Sequence, residues 1–225
     1  MNTTKFKKAL QDQYEDWPRN PTPKAPIFTD ICNMVKPLST PTILALLNFA
    51  VTCMDPDEIY LEAGTAQGGT LIGALRNHPT VKGVSIDNFS QNFTWQDKNQ
   101  AQQLIRRNVD MLLINDPILP VSPIELVYSD TKEYLLKENY LNAGVYFYDA
   151  DHSREMTFDC LVLGMSHMAP GGIMIVDDAS MYPVRSTIDD FILATKYTEL
   201  FFFDAIEEDQ QKYWHAGLSI LYLPS

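Results

Sequence analysis

The run IYLEAGTAQGGT, Ile59–Thr70, with VKGVSID, Val81–Asp87, close behind it, decides the architecture. Ile59–Ala63 is a short apolar run of strand length. The turn after it, Thr65–Gly69, follows Gly64 and contains Gly68 and Gly69. Thr70–Asn77 then has helical spacing, and Val81–Ile86 is a second strand that stops at Asp87. Strand, glycine turn, helix and strand make one βαβ unit, whose two strands pair in parallel.

The alternation continues downstream. Gln96–Asn108 reads as a polar helix, and Asn115–Pro123 as an irregular connection, because it holds Pro117, Pro120 and Pro123. Ile124–Tyr128 is a strand and Thr131–Asn139 a helix. Val145–Tyr148 is a strand ending at Asp149, and Ser153 can cap a helix that reaches Met168. Gly171 and Gly172 lead into the strand Ile173–Val176, which ends at Asp177. Arg185–Tyr197 is a helix, and Leu200–Ala205 and Gly217–Tyr222 are a final strand pair. The expectation is an α/β fold built on a mostly parallel sheet. In such sheets ligands bind beyond the carboxyl ends of the strands, which is where Asp87, Asp130, Asp149 and Asp177 fall.

Upstream, the segment 1–55 reads as a helical extension or cap on a domain spanning 56–225. Phe6, Leu10, Tyr14 and Trp17 lie at helical spacing, four prolines from Pro18 to Pro26 stiffen the chain, and Ile27–Val35 and a helix from Pro41 to about Cys53, capped by Thr40, follow. The apolar stripe of the first helix has no obvious partner in the βαβ core. It is expected to pack over a neighbouring subunit of a homo-oligomer or over the mouth of the site.

Of the 225 residues 45% are hydrophobic, enough for a sizeable core. With 29 acidic against 17 basic side chains the formal net charge is -12, which repels phosphate backbones and argues against a nucleic-acid partner. The longest apolar run, Ile43–Val51, falls far short of the roughly 20 residues that span a bilayer, so no membrane partner is expected. Cys32, Cys53 and Cys160 form no CxxC. Read as free thiols beside an N-terminus without an apolar leader, they point to a cytoplasmic protein.

The glycine turn is neither of two familiar phosphate loops. No Gly-Lys-Ser/Thr follows it, and Ala66 occupies the second glycine position of GxGxxG. Glycines there let backbone N–H groups approach a ligand, and Asp87 has the spacing of an acid that binds a ribose diol. Taken alone, each feature also fits a tight turn and a solvated acid. The combination LEAGTAQGG with VSIDNF, however, resembles the cofactor segment of class I S-adenosylmethionine-dependent methyltransferases, over roughly Ile59–Asp178. The resemblance implies a Rossmann-like fold whose seven-stranded sheet ends in an antiparallel hairpin. It also implies S-adenosylmethionine as methyl donor, with Glu62 near the methionine ammonium, Gly64, Thr65 and Gly68 around the methionine and sugar, Asp87 on the ribose and Asp130 near the adenine. Asp149 completes the set of cofactor contacts.

A second constellation is YDADHS, Tyr148–Ser153, with PGGIMIVDD, Pro170–Asp178. Several carboxylates at adjacent strand ends repel one another unless a cation or protons neutralise them. Oxygen donors suit Mg²⁺ or another hard divalent ion. The pair of motifs resembles the metal-dependent small-molecule O-methyltransferases, particularly the macrocin and macrolide sugar type. That resemblance implies Asp149, Asp177 and Asp178 as metal ligands and His152, three positions after the first, as the catalytic base. Asp151 departs from the family's pattern, as a further oxygen ligand or a neighbour of one. His78, His167 and His215 lack acidic neighbours in sequence and read as structural or surface residues, whereas Phe89, Phe93, Trp95, Tyr182 and Trp214 are candidates for an acceptor or adenine pocket. The implied function is methylation of a small hydroxylated acceptor, a sugar, polyketide or phenolic. Other readings remain open at this level: a metal-independent methyltransferase, an NAD-linked oxidoreductase (against which Ala66 argues), a hydrolase or hydroxylase-type enzyme, and a non-catalytic nucleoside-binding subunit.

Overall fold

The computed structural model describes residues 1–18, 20–90, 97–114 and 123–224. In chain order its elements begin with α1 (Thr3–Ala9), the two-residue strands β1 (Tyr14–Glu15) and β2 (Thr22–Pro23), α2 (Ile27–Val35) and α3 (Pro41–Thr52). Then come β3 (Ile59–Ala63), α4 (Gly69–Leu75), β4 (Gly83–Ile86), α5 (Lys98–Val109), β5 (Ile124–Val127), α6 (Thr131–Lys137) and β6 (Ala143–Tyr148). The chain finishes with α7 (Arg154–Met165), β7 (Met168–Asp177), α8 (Tyr182–Ala194), β8 (Thr198–Phe203), α9 (Glu208–Trp214) and β9 (Leu218–Tyr222). Among the described residues, seven strands form one sheet in the order β5-β4-β3-β6-β7-β9-β8. The first five are mutually parallel, while β9 runs antiparallel to both β7 and β8. The expected Rossmann-like α/β sheet with its C-terminal antiparallel hairpin is therefore present.

Period-two alternation sorts the strand side chains onto two buried faces. Tyr60, Val145, Phe147, Ile173 and Ile175 face a core that includes α1–α5 and α9. Leu61, Tyr146, Tyr148, Met174 and Val176 face the core under α6, α7 and α8. With helices on both faces, the carboxyl ends of the strands are left as the open edge of the sheet.

Local chemistry explains most of the boundaries. Thr40 caps α3 through Ile43 N, with Pro41 in its first turn, Ser153 caps α7 through Met156 N, and Asp130 caps α6 through Glu133 N. Helix α8 starts at Tyr182, ahead of the expected Arg185, because Pro183 fits a first turn that lacks an N–H partner anyway. Helix α9 has no counterpart in the sequence reading; EDQQKYW is short and polar and shows no apolar period. The proline-rich connection expected over 115–123 lies outside the described residues except at Pro123.

The N-terminal segment departs from expectation. Instead of one long helix it forms α1, a 3₁₀ turn at Leu10–Gln13 and the small β1–β2 hairpin. Its apolar stripe finds its partners within the chain: Phe6, Leu10 and Tyr14 are buried in the same core as the sheet. Phe6 stacks on Phe49 at 5.9 Å and meets Phe201 edge-on at 6.4 Å. Trp17 meets Phe203 and Trp214 edge-on, and those two rings stack 3.9 Å apart. Trp214 is thus a core residue, 1% exposed, and not part of an acceptor pocket. Replacing it with Ala should cost about 3–5 kcal/mol in urea unfolding. Tyr182→Ala, at a side chain 78% exposed, should change stability by no more than about 0.5 kcal/mol.

Candidate active site

The loop after β3 is held by the ends of three strands. Gly64 N donates to the Ile86 carbonyl at 2.8 Å, Asp149 N donates to the Ala63 carbonyl at 2.8 Å, and Asp87 N donates to the Val127 carbonyl at 3.0 Å. Gly64 has φ +82°, and a Cβ there would lie 1.8 Å from the Asp149 carbonyl oxygen, so only glycine fits. The Asp87 carboxylate closes the loop: Oδ2 accepts from Thr65 N at 2.9 Å and Ala66 N at 2.8 Å, and Oδ1 accepts from Phe89 N at 2.7 Å. Beneath the loop, Glu62 is fully buried and accepts from the hydroxyls of Tyr60 at 2.6 Å, Thr65 at 2.8 Å and Thr70 at 3.1 Å. Burial outweighs these bonds and pushes its carboxyl up to about 7.

The second half of the site follows from strand register. Tyr148 pairs with Val176 across β6 and β7, so Asp149 and Asp177 leave the sheet side by side. Asp177 and Asp178 are 2% and 5% exposed. Asp178 adopts φ +56°, and its N donates to Asp177 Oδ1 at 2.9 Å. Two imidazoles converge on Asp178: His152 Nε2 lies 2.7 Å from Oδ2, and His215 Nδ1 lies 3.6 Å from Oδ1. The first contact lacks hydrogen-bond geometry, and the second is too long for a hydrogen bond. Both nitrogens, together with Asp177 Oδ2, are buried without a hydrogen-bond partner among the described residues. Donor atoms of Asp149, His152 and Asp178, and separately of Asp177, Asp178 and His215, lie within 4.8 Å of one another.

Burial, with charge crowding second, sets the electrostatics. Burial, followed by repulsion from Asp177 and Asp178, drives the Asp149 carboxyl well above the usual carboxylate range. Burial and the Asp178 charge push Asp177 up to about 7. Asp178 goes the other way: burial works to raise it, but His152 and His215 together hold it below the ordinary range. The same contacts with Asp178 raise both imidazoles.

Both halves open into one cavity of about 350 Å³, a size suited to a small-molecule ligand. Of the residues singled out in the sequence, Gly64, Thr65, Asp87, Phe89, Asp130, Asp149, Asp151, His152 and Asp178 line it. Glu62, Gly68 and Asp177 do not appear in its lining. Glu62 and Asp177 sit buried beneath it, and Gly68, at φ +84°, starts α4. Phe89 lines the cavity, with the Tyr128 ring 5.8 Å away. Phe93 and Trp95 lie outside the described residues, and Tyr182 is exposed away from the lining. Asp151 is an exposed turn-former whose Oδ1 accepts from Ser153 N at 2.7 Å.

His215 is the residue that sequence reasoning missed. No acid is next to it in the chain, yet it lines the cavity beside Asp178. The only signal is long-range: β9 runs antiparallel to β7 and begins where β7 ends. Leu218 pairs with Asp177, so the residues before β9 meet those after β7. His167, by contrast, is a buried residue facing the Leu135 carbonyl at 2.9 Å, as a structural histidine should be.

No family model and no curated protein matches the chain. Solved structures do. An O-methyltransferase from Bacillus cereus in complex with SAH superposes with TM-score 0.64 at 16% identity, covering 100% of both chains. Cofactor-bound Rv0187 from MTB gives 0.64 at 13% identity over 88% of each. CalS11, a TDP-rhamnose 3'-O-methyltransferase of calicheamicin biosynthesis, gives 0.61 at 14% identity, covering 99% of this chain and 94% of its own. The chain has the class I methyltransferase fold.

Within that fold the buried Glu62 makes a testable pH signature. Its folded pKa, about 7, stands above the 4.5 of an ordinary glutamate, so its contribution to stability is fully present below pH 4.5 and lost as pH rises through 7. Glu62→Gln should remove a stability loss on the order of 3 kcal/mol from the pH 4–8 range of the ligand-free protein, read from urea midpoints at several pH values. An unchanged pH slope would mean that the carboxylate is not desolvated.

Proposed function

We propose that this chain is an S-adenosylmethionine-dependent methyltransferase that methylates a hydroxyl of a small metabolite, a sugar, polyketide or phenolic, with the help of a divalent cation. One observation carries the reading. The glycine loop with Asp87 and the acid–histidine cluster face the same cavity, so a nucleoside-type donor and an activated acceptor would meet there. The likeness to CalS11 and to the B. cereus O-methyltransferase supports an oxygen acceptor. The net charge of -12 favours a small acceptor over a nucleic acid, and no described helix is long and apolar enough to cross a membrane.

The donor set fits a cation. Asp149, Asp177 and Asp178 crowd together, burial and repulsion raise the carboxyls of Asp149 and Asp177, and three buried polar atoms of the cluster, Asp177 Oδ2, His152 Nε2 and His215 Nδ1, have no hydrogen-bond partner among the described residues. Asp149, Asp177 and Asp178 would hold the ion. When bound, S-adenosylmethionine supplies a methyl carbon on a positively charged sulfur, and the ion supplies positive charge that lowers the pKa of a nearby hydroxyl.

The rest falls to the protein's own residues. Gly64, Thr65 and Gly68 shape the loop, Asp87 offers its remaining lone pairs to the ribose, Asp130 stands at the adenine end and Glu62 anchors the loop from below. His152, half-buried on the cavity side, is the general base. With donor and acceptor bound, the imidazole would take the acceptor O–H proton, so that the oxygen could displace the sulfur at the methyl carbon and a neutral thioether would leave. No covalent enzyme intermediate is required.

Calorimetry should show S-adenosylmethionine binding in preference to NAD, and Asp87→Ala should weaken it by about 1.5–3 kcal/mol. Tighter NAD binding in the same titration would refute the donor assignment. Chelator, or Asp177→Asn, should abolish turnover in an acceptor screen while donor binding persists. His152→Ala should keep the metal but lower the rate by roughly 10² to 10⁴. Full turnover in chelator would leave a metal-independent methyltransferase.

A further inference from the structure

We infer that His215 is itself a ligand of the cation, joining Asp177 and Asp178 in a mixed imidazole–carboxylate set, and that the site therefore takes a first-row transition ion such as Mn²⁺, Fe²⁺ or Co²⁺ in preference to Mg²⁺ or Ca²⁺. The inference rests on the divalent-cation reading above and deepens it. Three observations carry it. First, the Nδ1 of His215 and Oδ2 of Asp177 are buried with no hydrogen-bond partner among the described residues, and Asp177 is 2% exposed; burying such atoms unpaired is costly unless something else meets them. Second, Asp177, Asp178 and His215 bring one donor atom each to within 4.8 Å, sharing Asp178 with the triad that contains His152.

Third, the backbone holds His215 in place at a conformational cost. Its φ of 54° and ψ of -107° lie outside the regions that non-glycine residues prefer. The conformation is clamped from both sides. His215 N donates to the Gln211 carbonyl at 2.9 Å, closing α9 behind the buried Trp214. Ahead of it, Ala179 N donates to the Gly217 carbonyl at 3.1 Å and Ser180 N to the Ala216 carbonyl at 2.8 Å, which stitches the segment to the loop that carries Asp178. Gly217, at φ +92°, must be glycine because a Cβ would stand 2.1 Å from Ser180 Oγ. A turn this constrained, aiming an imidazole at an acid pair, suits a ligand-presenting role.

The choice of ion follows from donor chemistry. Carboxylates alone suit hard ions, whereas imidazole nitrogen raises affinity for later first-row ions, which take mixed nitrogen and oxygen donors. The oxygen-only set expected from the sequence omitted this nitrogen.

The test uses the full chain, stripped with chelator and reloaded with Mn²⁺. Electron spin-echo envelope modulation of the bound Mn²⁺ should show ¹⁴N coupling in the wild type. The coupling should be lost or reduced in His215→Ala and in His215→Gln, which keeps a polar side chain of similar reach, and competition dialysis should show at least about a tenfold loss of Mn²⁺ affinity in both with little change for Mg²⁺. Bound Mn²⁺ without ¹⁴N coupling in the wild type, or coupling that vanishes only in His152→Ala, would overturn the role of His215 while leaving the cation reading intact. A wild type that binds neither Mn²⁺ nor Mg²⁺ would overturn both. The wild-type spectrum does not depend on whether a variant folds.

Discussion

The site depends on the pairing register at one edge of the sheet. Because Tyr148 lies opposite Val176 in a parallel pair, and Asp177 lies opposite Leu218 in an antiparallel one, three chain segments end at the same level. A slip of one residue in either pairing would turn Asp149 or Asp177 to the other face of the sheet. The register is kept by burial on both faces: Val145, Phe147, Ile173 and Ile175 point into one core and Tyr146, Tyr148, Met174 and Val176 into the other. Core packing thus maintains a concentration of negative charge that the folded chain would otherwise avoid, and the raised carboxyls of Asp149 and Asp177 record the cost.

The glycine loop and the acid cluster are coupled by direct contact. The Cα of Gly64 sits so close to the Asp149 carbonyl that no side chain fits between them. Asp87 draws the amides of Thr65 and Ala66 inward, fixing the loop before any ligand arrives. Such preorganisation reduces the ordering that binding must impose. It also links the glycine-loop end and the acid-cluster end of the cavity through a few backbone atoms.

Much of this was legible in the sequence. Alternating apolar runs and helices predicted the sheet, and acids at the strand ends predicted where a site would form. The cavity gathers Asp87, Asp130, Asp149 and Asp178 from those strand ends. Three things were not legible. Helix α9 lacks an apolar period, so its existence rests on Trp214 docking against Phe203. The N-terminal stripe had no visible partner because Phe49, Phe201 and Phe203 reach it only once the chain is folded. His215 carried no local signal, since its acidic neighbours lie some forty residues earlier and are brought to it by antiparallel pairing. In each case the missing information was long-range contact, which local pattern does not encode.

The most direct measurement is a crystal structure of the full chain grown with S-adenosylhomocysteine and Mn²⁺, with anomalous data collected at the manganese edge. The expected result is nucleoside density between the Gly64–Gly69 loop, Asp87 and Asp130, with an anomalous peak at the Asp149, Asp177 and Asp178 cluster, bonded to His215, in the same cavity. Nucleoside density elsewhere, or a cavity that holds the nucleoside with no anomalous peak beside Asp178, would contradict metal-assisted methyl transfer at this site.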